Sequence, residues 1–337
     1  MEEHISRRGF LLSSAAFAVA TKRSSAAETM QAPLPGLTEA ASPASQGVGG
    51  IRVRFLGTGA AGWKPEWAKN NPHMRRQSSV LLEGKVLIDF TPCSFDLLPE
   101  GCCPEVLFQT HSHGDHYKPT AAVKSGVKRM YVQETWAAAA RREIAAAAEE
   151  LSLPAPEVIG LPFGKPVEEC GLRITGVPAN HSTSRVTDGV LERASVYLVE
   201  KGATRLLYAT DTGGLMGDAA RMIGIDPHVR DGNYATRFKD HCAPFVHAPQ
   251  AITALIMEAT DADLDEDFRL FVHSSVQTVS RIVNMLTRMG RYAPPPGQPA
   301  YLTHIGLKYR GWPAEKNNAE LPAPLSAASD GLELTLG

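Results

Sequence analysis

The sequence predicts an α/β fold in which β-sheets are covered by helices. Strand-like runs come first as hairpins and later alternate with helical segments, an order typical of layered sheets and helices. The chain has 337 residues, 43% of them hydrophobic, so it can bury a sizeable core. Several runs are followed by a polar residue that can bind a metal or move a proton, namely His111, Asp211, His273 and His304. Polar side chains at strand ends that face one edge of a sheet can build a rigid site.

The first half of the chain predicts mainly strands. Residues 51–56 alternate in polarity and read as the first strand. Residues 80–82 and 86–89 flank a Glu-Gly-Lys turn, which predicts a hairpin. Residues 106–108 form a short apolar strand that ends just before His111.

The second half predicts strands alternating with helices. Residues 136–151 are rich in Ala, Glu and Arg and predict a helix. Residues 195–199 and 205–209 read as a strand pair across a Lys-Gly turn. Apolar residues recur at helical spacing over 276–289, which predicts an amphipathic helix. Short apolar runs at 270–272 and 301–302 predict two further strands.

Charge and cysteine content exclude some classes of function. The 34 basic and 36 acidic residues give a net charge of −2, so no nucleic-acid partner is expected. The cysteines contain no C-x-x-C pair, which argues against a structural zinc ribbon. We expect the cysteines to be buried or free thiols. The alternative, for an exported protein, is that two of them form one disulfide. The five cysteines are Cys93, Cys102, Cys103, Cys170 and Cys242.

The N-terminus predicts export. Residues 6–12 read Ser-Arg-Arg-Gly-Phe-Leu-Leu and precede a short apolar stretch of small residues. This layout resembles a twin-arginine signal, which we place at residues 1–27, and the other interpretation is an ordinary N-terminal helix. Residues 28–50 read as a flexible linker and residues 51–337 as one folded domain. The expected location is periplasmic or extracellular, without stable membrane insertion, because the apolar stretch is too short to span a bilayer.

Residues 111–116, His-Ser-His-Gly-Asp-His, carry four potential metal ligands. Side chains two residues apart in an extended segment point the same way, so His111 and His113 can reach one ion. A turn at the glycine would direct Asp115 and His116 to a second ion. An exposed polar loop is the competing interpretation.

The H-x-H-x-D-H pattern after an apolar strand resembles the metallo-β-lactamase superfamily. The resemblance runs from about residue 51 to 312 and implies the αβ/βα four-layer sandwich. It implies that Asp211 bridges two metal ions. One ion would be held by His111, His113 and His181, and the other by Asp115, His116 and His304.

Three of these assignments have rivals. His181 competes with His228, His241 and His247 as third ligand. Asp211 could instead cap a helix, and His304 could be a satisfied core histidine.

A two-metal site of this kind implies hydrolysis. Two divalent ions a few Å apart bind a bridging water and lower its pKa toward neutrality, so that the resulting hydroxide attacks a carbonyl carbon or phosphorus. Zinc is the first expectation for both ions, and manganese and iron also suit these ligands.

Four further segments resemble the phosphodiesterase branch of the superfamily, which includes the tRNA 3′-processing endonuclease and the phosphoribosyl cyclic phosphodiesterase. They are residues 75–79, the segments at 258–260 and 273–275, and residues 304–309. The resemblance implies His273 as general acid, oriented by Glu258, with Asp115 counted in the catalytic set. In the other interpretation His273 supports the metal shell.

The sequence departs from both named enzymes. A basic Gly-rich insertion is missing, and residues 63–73 contain no cysteine where a zinc element would lie. We therefore expect a small phosphodiester, cyclic forms included, as substrate. The alternatives are a lactonase or β-lactamase-like hydrolase with the same metals, and a non-hydrolytic metal protein.

Several basic residues could contribute to specificity. Arg75, Arg76 and Arg185 are candidate phosphate contacts. The segment 224–247 either overhangs the site or forms a solvated loop. The sequence does not specify the oligomeric state.

Overall fold

The structure, a computed structural model, describes residues 49–64, 74–214, 251–260, 272–288, 290–306 and 321–337. The predicted signal, most of the linker, the segment 224–247 and all but the last residue of the predicted strand 270–272 lie outside these residues.

The first sheet has seven strands in the order β16-β1-β2-β3-β4-β5-β6. Its bounds are β1 (Ile51–Gly57), β2 (Ser79–Leu82), β3 (Val86–Ile88), β4 (Val106–Phe108), β5 (Arg129–Gln133), β6 (Glu157–Leu161) and β16 (Glu333–Leu336). The strands from β16 to β3 pair antiparallel, and those from β3 to β6 pair parallel. The predicted hairpin is therefore confirmed as β2 and β3.

The second sheet also has seven strands, in the order β15-β14-β13-β12-β11-β8-β7. Its bounds are β7 (Pro166–Glu169), β8 (Leu172–Pro178), β11 (Ser195–Lys201), β12 (Thr204–Ala209), β13 (Ala254–Ala259), β14 (Ala300–Ile305) and β15 (Leu325–Ala327). The predicted strand pair is confirmed as β11 and β12, which pair antiparallel, while β12 to β15 pair parallel. A separate hairpin joins β9 (Val186–Thr187) to β10 (Val190–Leu191).

The described helices cover the outer faces of the two sheets. They are α1 (Pro119–Lys124), α2 (Ala137–Leu151) and α3 (Val276–Arg288), with short 3-10 helices at Pro92–Leu97 and Glu134–Trp136. Both predicted longer helices are confirmed within one residue at each end. None of the described helices is long and apolar enough to cross a membrane.

Side-chain alternation along the strands separates three apolar layers. Leu81 and Leu107 of the first sheet pack on α1 and α2, whereas Val80 and Phe108 point between the sheets. On the second sheet, Leu255 and its neighbours pack on α3. This arrangement confirms the α/β, αβ/βα four-layer sandwich.

Seven strands of the two sheets, β5 to β8, β13, β15 and β16, were not predicted from the sequence. Several, such as β7 and β16, are short and partly exposed, so they lack a strong period-2 signal. One expectation was wrong in detail, because His304 lies inside β14 rather than beyond its end. Cys93, Cys102, Cys103 and Cys170 are free thiols, as expected, and Cys242 lies outside the described residues.

Candidate metal centre

The predicted ligands converge at one edge of the sandwich in two groups. We call His111, His113 and His181 the open triad, because His113 and His181 are partly exposed, and Asp115, His116 and His304 the buried triad. Within each triad the potential ligand atoms lie within 4.8 Å of one another. The structure thus brings together all six residues that the sequence assigned to two ions.

Asp211 lies between the two triads. Its Oδ2 is 2.7 Å from His116 Nε2 and 3.0 Å from His304 Nε2, and its Oδ1 is 3.9 Å from His181 Nε2. This is the place that a bridging carboxylate requires. The rivals of His181 in the sequence, His228, His241 and His247, lie outside the described residues.

The polypeptide turns sharply at the edge that carries the site. Asp89, Asp211 and His304 have φ values of 54°, 46° and 47°, in the left-handed region that non-glycine residues seldom adopt. Each such residue costs of order 1 kcal/mol and persists where the surroundings hold it. Here the turns direct the three side chains toward one centre.

The ligands of the buried triad are held by charged and hydroxyl groups. His116 Nδ1 donates to the fully buried Asp89 carboxylate at 2.7 Å. The same carboxylate accepts from Gln109 Nε2 at 2.7 Å and from Thr110 N at 2.8 Å. His304 Nδ1 donates to Thr260 Oγ1 at 2.7 Å. Hydrogen bonds of this kind fix the ring and leave Nε2 as the ligand atom.

The ligands of the open triad have neutral partners. His111 Nδ1 donates to Thr110 Oγ1 at 3.0 Å, and His181 Nδ1 donates to the Val272 carbonyl at 3.1 Å. His181 Nε2 and His113 Nδ1 are 3.1 Å apart. The imidazole side chain of His181 is itself only 2% exposed.

The electrostatics of the two triads differ in sign. Burial lowers the pKa of His111 and that of His181. Burial alone would also lower the pKa of His116, but the carboxylates of Asp211, Asp115 and Asp89 raise it well above its usual value. Against the effect of burial, the neighbouring histidines hold the pKa of Asp211 well below its usual value. The carboxylates of Asp211 and Asp115, whose pKa values are both lowered, are therefore ionised and available as ligands.

These residues fit divalent metal ions. The buried Nε2 of His111 has no hydrogen-bond partner in the described part of the chain. The Nε2 atoms of His116 and His304 lie 3.1 Å apart, an approach that a proton or a cation must bridge. Imidazole with carboxylate is the donor set of zinc, manganese and iron sites.

His273 and Glu258 form a pair beside the two triads. His273 Nδ1 lies 3.0 Å from one Glu258 oxygen and 3.2 Å from the other. Glu258 is fully buried and also accepts from Thr212 N and Thr260 Oγ1. The rings of His273 and His181 are 5.1 Å apart. The structure therefore places the predicted pair at the edge of the open triad.

A pocket of about 500 Å³ opens above the ligands. Apart from the histidines and aspartates, the residues described around it have small side chains, and none of the described residues is a lysine or an arginine. The described lining consists of Ala60, Ala61, Gly62, His113, Asp115, His181, Ser182, Asp211, Thr260, Val272, His273, His304 and Gly306.

The three arginines predicted as phosphate contacts are not among the residues described around this pocket, and each has other partners. Arg75 is buried and donates to Thr58 Oγ1 and the Ala328 carbonyl. Arg76 pairs with Asp96. Arg185 pairs with Glu143.

Three residues that support the site were missed or read differently. Asp89 was read as the end of a strand, although an acidic residue directly after buried β3 gives the same signal as Asp211 after β12. Thr260 carried no signal beyond its place in a resembling segment. Glu192 accepts from Ser112 N at 2.8 Å and from Ser112 Oγ at 2.7 Å, 80 residues away, and nothing local indicates this contact.

The αββα sandwich with this histidine and aspartate centre at its edge defines a metal-dependent hydrolase. A model of the beta-lactamase superfamily domain matches residues 103–305, and the chain belongs to this family. No curated protein matches the sequence.

Solved structures share the fold at low sequence identity. A diphosphatase from the PhnP family is 20% identical with a TM-score of 0.50, over 85% of this chain and 100% of its own. Zinc-bound PqqB from Methylobacterium extorquens is 17% identical with a TM-score of 0.53, over 85% and 100%. The metallo-beta-lactamase fold protein YhfI from Bacillus subtilis is 14% identical with a TM-score of 0.52, over 86% and 100%.

Proposed function

We propose that the chain is an exported phosphodiesterase that hydrolyses a small phosphodiester at a two-metal centre. The observation that carries this proposal is the hydrogen-bonded pair of His273 and Glu258 beside the ligands. An alkoxide leaving group needs a proton, and a buried carboxylate that holds a histidine at the pocket supplies a general acid. The twin-arginine pattern supports the exported location.

The side chains divide into ligands and proton donors. His111, His113 and His181 would hold one ion, Asp115, His116 and His304 the other, and Asp211 would contact both. When bound, the ions would lower the pKa of a water and stabilise charge on the attacked group. With Nδ1 engaged by Glu258, Nε2 of His273 is the ring nitrogen that can give a proton to the leaving oxygen.

The charge of the pocket supports an anionic substrate. Two divalent ions outweigh the two carboxylates, Asp115 and Asp211, that belong to the ligand set. Glu258 is compensated by His273 in its protonated form. The remaining positive field attracts a phosphodiester anion more strongly than a neutral lactone. The PhnP-family structure is that of a diphosphatase, which agrees with a phosphorus-containing substrate. The PqqB structure contains zinc, which agrees with zinc as the first choice of metal.

The substrate class is tested with purified, metal-loaded protein. We expect turnover of bis-p-nitrophenyl phosphate well above that of a panel of lactones and β-lactams, with loss of turnover after metal removal and its return on adding zinc or manganese. Rapid lactone turnover without phosphodiester hydrolysis would instead establish the carbon-centred hydrolase.

The role of His273 is tested by changing the leaving group. For His273→Ala we expect kcat to fall by about 10² to 10⁴ with an alkyl phosphodiester, whose leaving oxygen needs a proton. With a p-nitrophenyl ester the fall should be far smaller, because p-nitrophenolate leaves without protonation. Equal losses on both substrates would show that His273 only supports the metal shell. Glu258→Gln should show the same dependence on the leaving group, with a smaller fall in kcat.

A further inference from the structure

A buried carboxylate lies behind the open triad without touching any of its ligands. Glu192 is 2% exposed, and both of its oxygens accept hydrogen bonds from Ser112. Ser112 is the residue between His111 and His113. We propose that Glu192 is a positioning residue that holds the open triad in its metal-binding geometry.

Ser112 connects Glu192 to the two histidines on either side of it. In an extended segment neighbouring side chains point to opposite sides, so the serine points away from the ions that its neighbours face. Glu192 receives both its N–H and its hydroxyl. Two hydrogen bonds to one residue fix its position and its rotation about the chain, and therefore the directions of His111 and His113.

Glu192 also contacts the segment that carries the third ligand, His181. Glu192 N donates to the Arg185 carbonyl at 2.9 Å, which closes the base of the hairpin β9–β10. Arg185 Nε lies 3.9 Å from Glu192 Oε2, and this arginine follows His181 by four residues. The segment that carries His181 is thus tied through one carboxylate to the segment that carries His111 and His113.

The segment around Glu192 is itself anchored to the rest of the domain. Arg193 N donates to Thr135 Oγ1 at 3.0 Å, and Arg185 pairs with Glu143 of α2. The base of the hairpin is therefore fixed to the body of the domain. A buried carboxylate is costly unless its oxygens are hydrogen-bonded. Here both donors belong to Ser112, and the Arg185 guanidinium lies close enough to form an ion pair. Glu192→Ala would leave both Ser112 donors without a partner.

Glu169 offers a matched control. It is 7% exposed, accepts from Arg129 Nε at 2.8 Å and from Tyr131 Oη at 2.6 Å, and is not among the residues that line the pocket. Glu169→Ala therefore removes a similarly buried, similarly paired carboxylate elsewhere in the fold. Any general effect of such a loss appears in both variants.

The experiment measures zinc binding to metal-free protein by competition with a chelating indicator, a readout that does not depend on activity. His181→Ala identifies which of the two dissociation constants belongs to the open triad. We expect Glu192→Ala to weaken that constant by about tenfold and to leave the other unchanged, in the range found for groups that orient metal ligands. Glu169→Ala should change neither constant.

Two further variants separate positioning from general destabilisation. Glu192→Gln keeps an acceptor for Ser112 N and a donor for its hydroxyl, so it should restore most of the affinity and serves where Glu192→Ala fails to fold. In a double-mutant cycle, Ser112→Ala should weaken binding less than Glu192→Ala and should add little to it. Full additivity, or equal weakening of both constants, would overturn the inference.

This inference rests on the proposed two-metal site, and the wild-type titration distinguishes the two. A wild-type chain that binds no zinc would overturn the proposed function and the inference together. A wild-type chain that binds two ions, with a Glu192→Ala variant that binds them equally well, would overturn the inference alone.

Discussion

The two triads offer similar ligands to a metal but differ in what stands behind those ligands. In the buried triad His116 donates directly to the Asp89 carboxylate, and His304 donates to a threonine that is itself bound to Glu258. In the open triad His111 donates to the Thr110 hydroxyl, which is itself bound to the Asp89 carboxylate, and His181 donates to a backbone carbonyl. A carboxylate behind an imidazole raises its basicity, so the ligand list alone does not set affinity. We therefore expect the buried triad to bind its ion more tightly at alkaline pH.

The largest expected effect comes from Asp89→Ala. This change should weaken the ion of the buried triad by about 10- to 100-fold. It should also lower the free energy of unfolding of the metal-free protein by about 3 kcal/mol, because the buried donors of Gln109 and Thr110 lose their acceptor. Zinc titration and urea unfolding measure the two effects. An equal loss of affinity at both ions would show that Asp89 does not distinguish the triads.

The second prediction concerns metal removal. Dialysis of the two-metal protein against a chelator at pH 8 should remove one equivalent first, and native mass spectrometry should detect the one-metal form. A carboxylate that is hydrogen-bonded directly to a ligand at one site only corresponds to a difference of about tenfold or more. The same dialysis of Asp89→Ala should show a smaller difference or a reversed order. Simultaneous loss of both ions from the wild-type protein would contradict the comparison.

The third prediction uses pH. The neighbouring carboxylates raise the pKa of His116, so in the metal-free protein a proton competes with a metal for its ring up to higher pH than in an ordinary histidine. Affinity at the buried triad should therefore rise with pH until the raised pKa is passed. The pKa values of His111 and His181 are lowered, so the proton competes less at the open triad above about pH 6.5.

Calorimetry in buffers of different ionisation enthalpy measures this release. About one proton should be released per ion bound at the buried triad, and fewer at the open triad. If the same number of protons were released at both triads, the expected electrostatic difference between them would be contradicted.

The smallest expected effect comes from Thr260→Val, which removes the hydroxyl between His304 and Glu258. The loss of the two hydrogen bonds to His304 and Glu258 should lower the free energy of unfolding by about 2 kcal/mol. It should weaken the ion of the buried triad less than Asp89→Ala does, because the lost acceptor is neutral. Thr260→Ser keeps the hydroxyl and should bind zinc like the wild-type protein.

Local sequence predicted much of this protein for a physical reason. The hairpin β2–β3, the strand pair β11–β12 and the helices α2 and α3 depend on the periodicity of neighbouring residues, and each was found where it was expected. The pattern of residues 111–116 also depends only on short spacing. With the resemblance that it carries, it sufficed to identify the class of enzyme and the residues that converge at the centre.

The tertiary structure decided what surrounds that centre, because those contacts join distant parts of the chain. Asp89 meets His116 across 27 residues, Thr260 meets His304 across 44, and Ser112 meets Glu192 across 80. No local pattern encodes such pairs, since strand order and the turns at the sheet edge bring them together. For the same reason the sequence could not show which partners the three candidate phosphate contacts have. In the fold Arg75 donates to Thr58, Arg76 pairs with Asp96 and Arg185 pairs with Glu143.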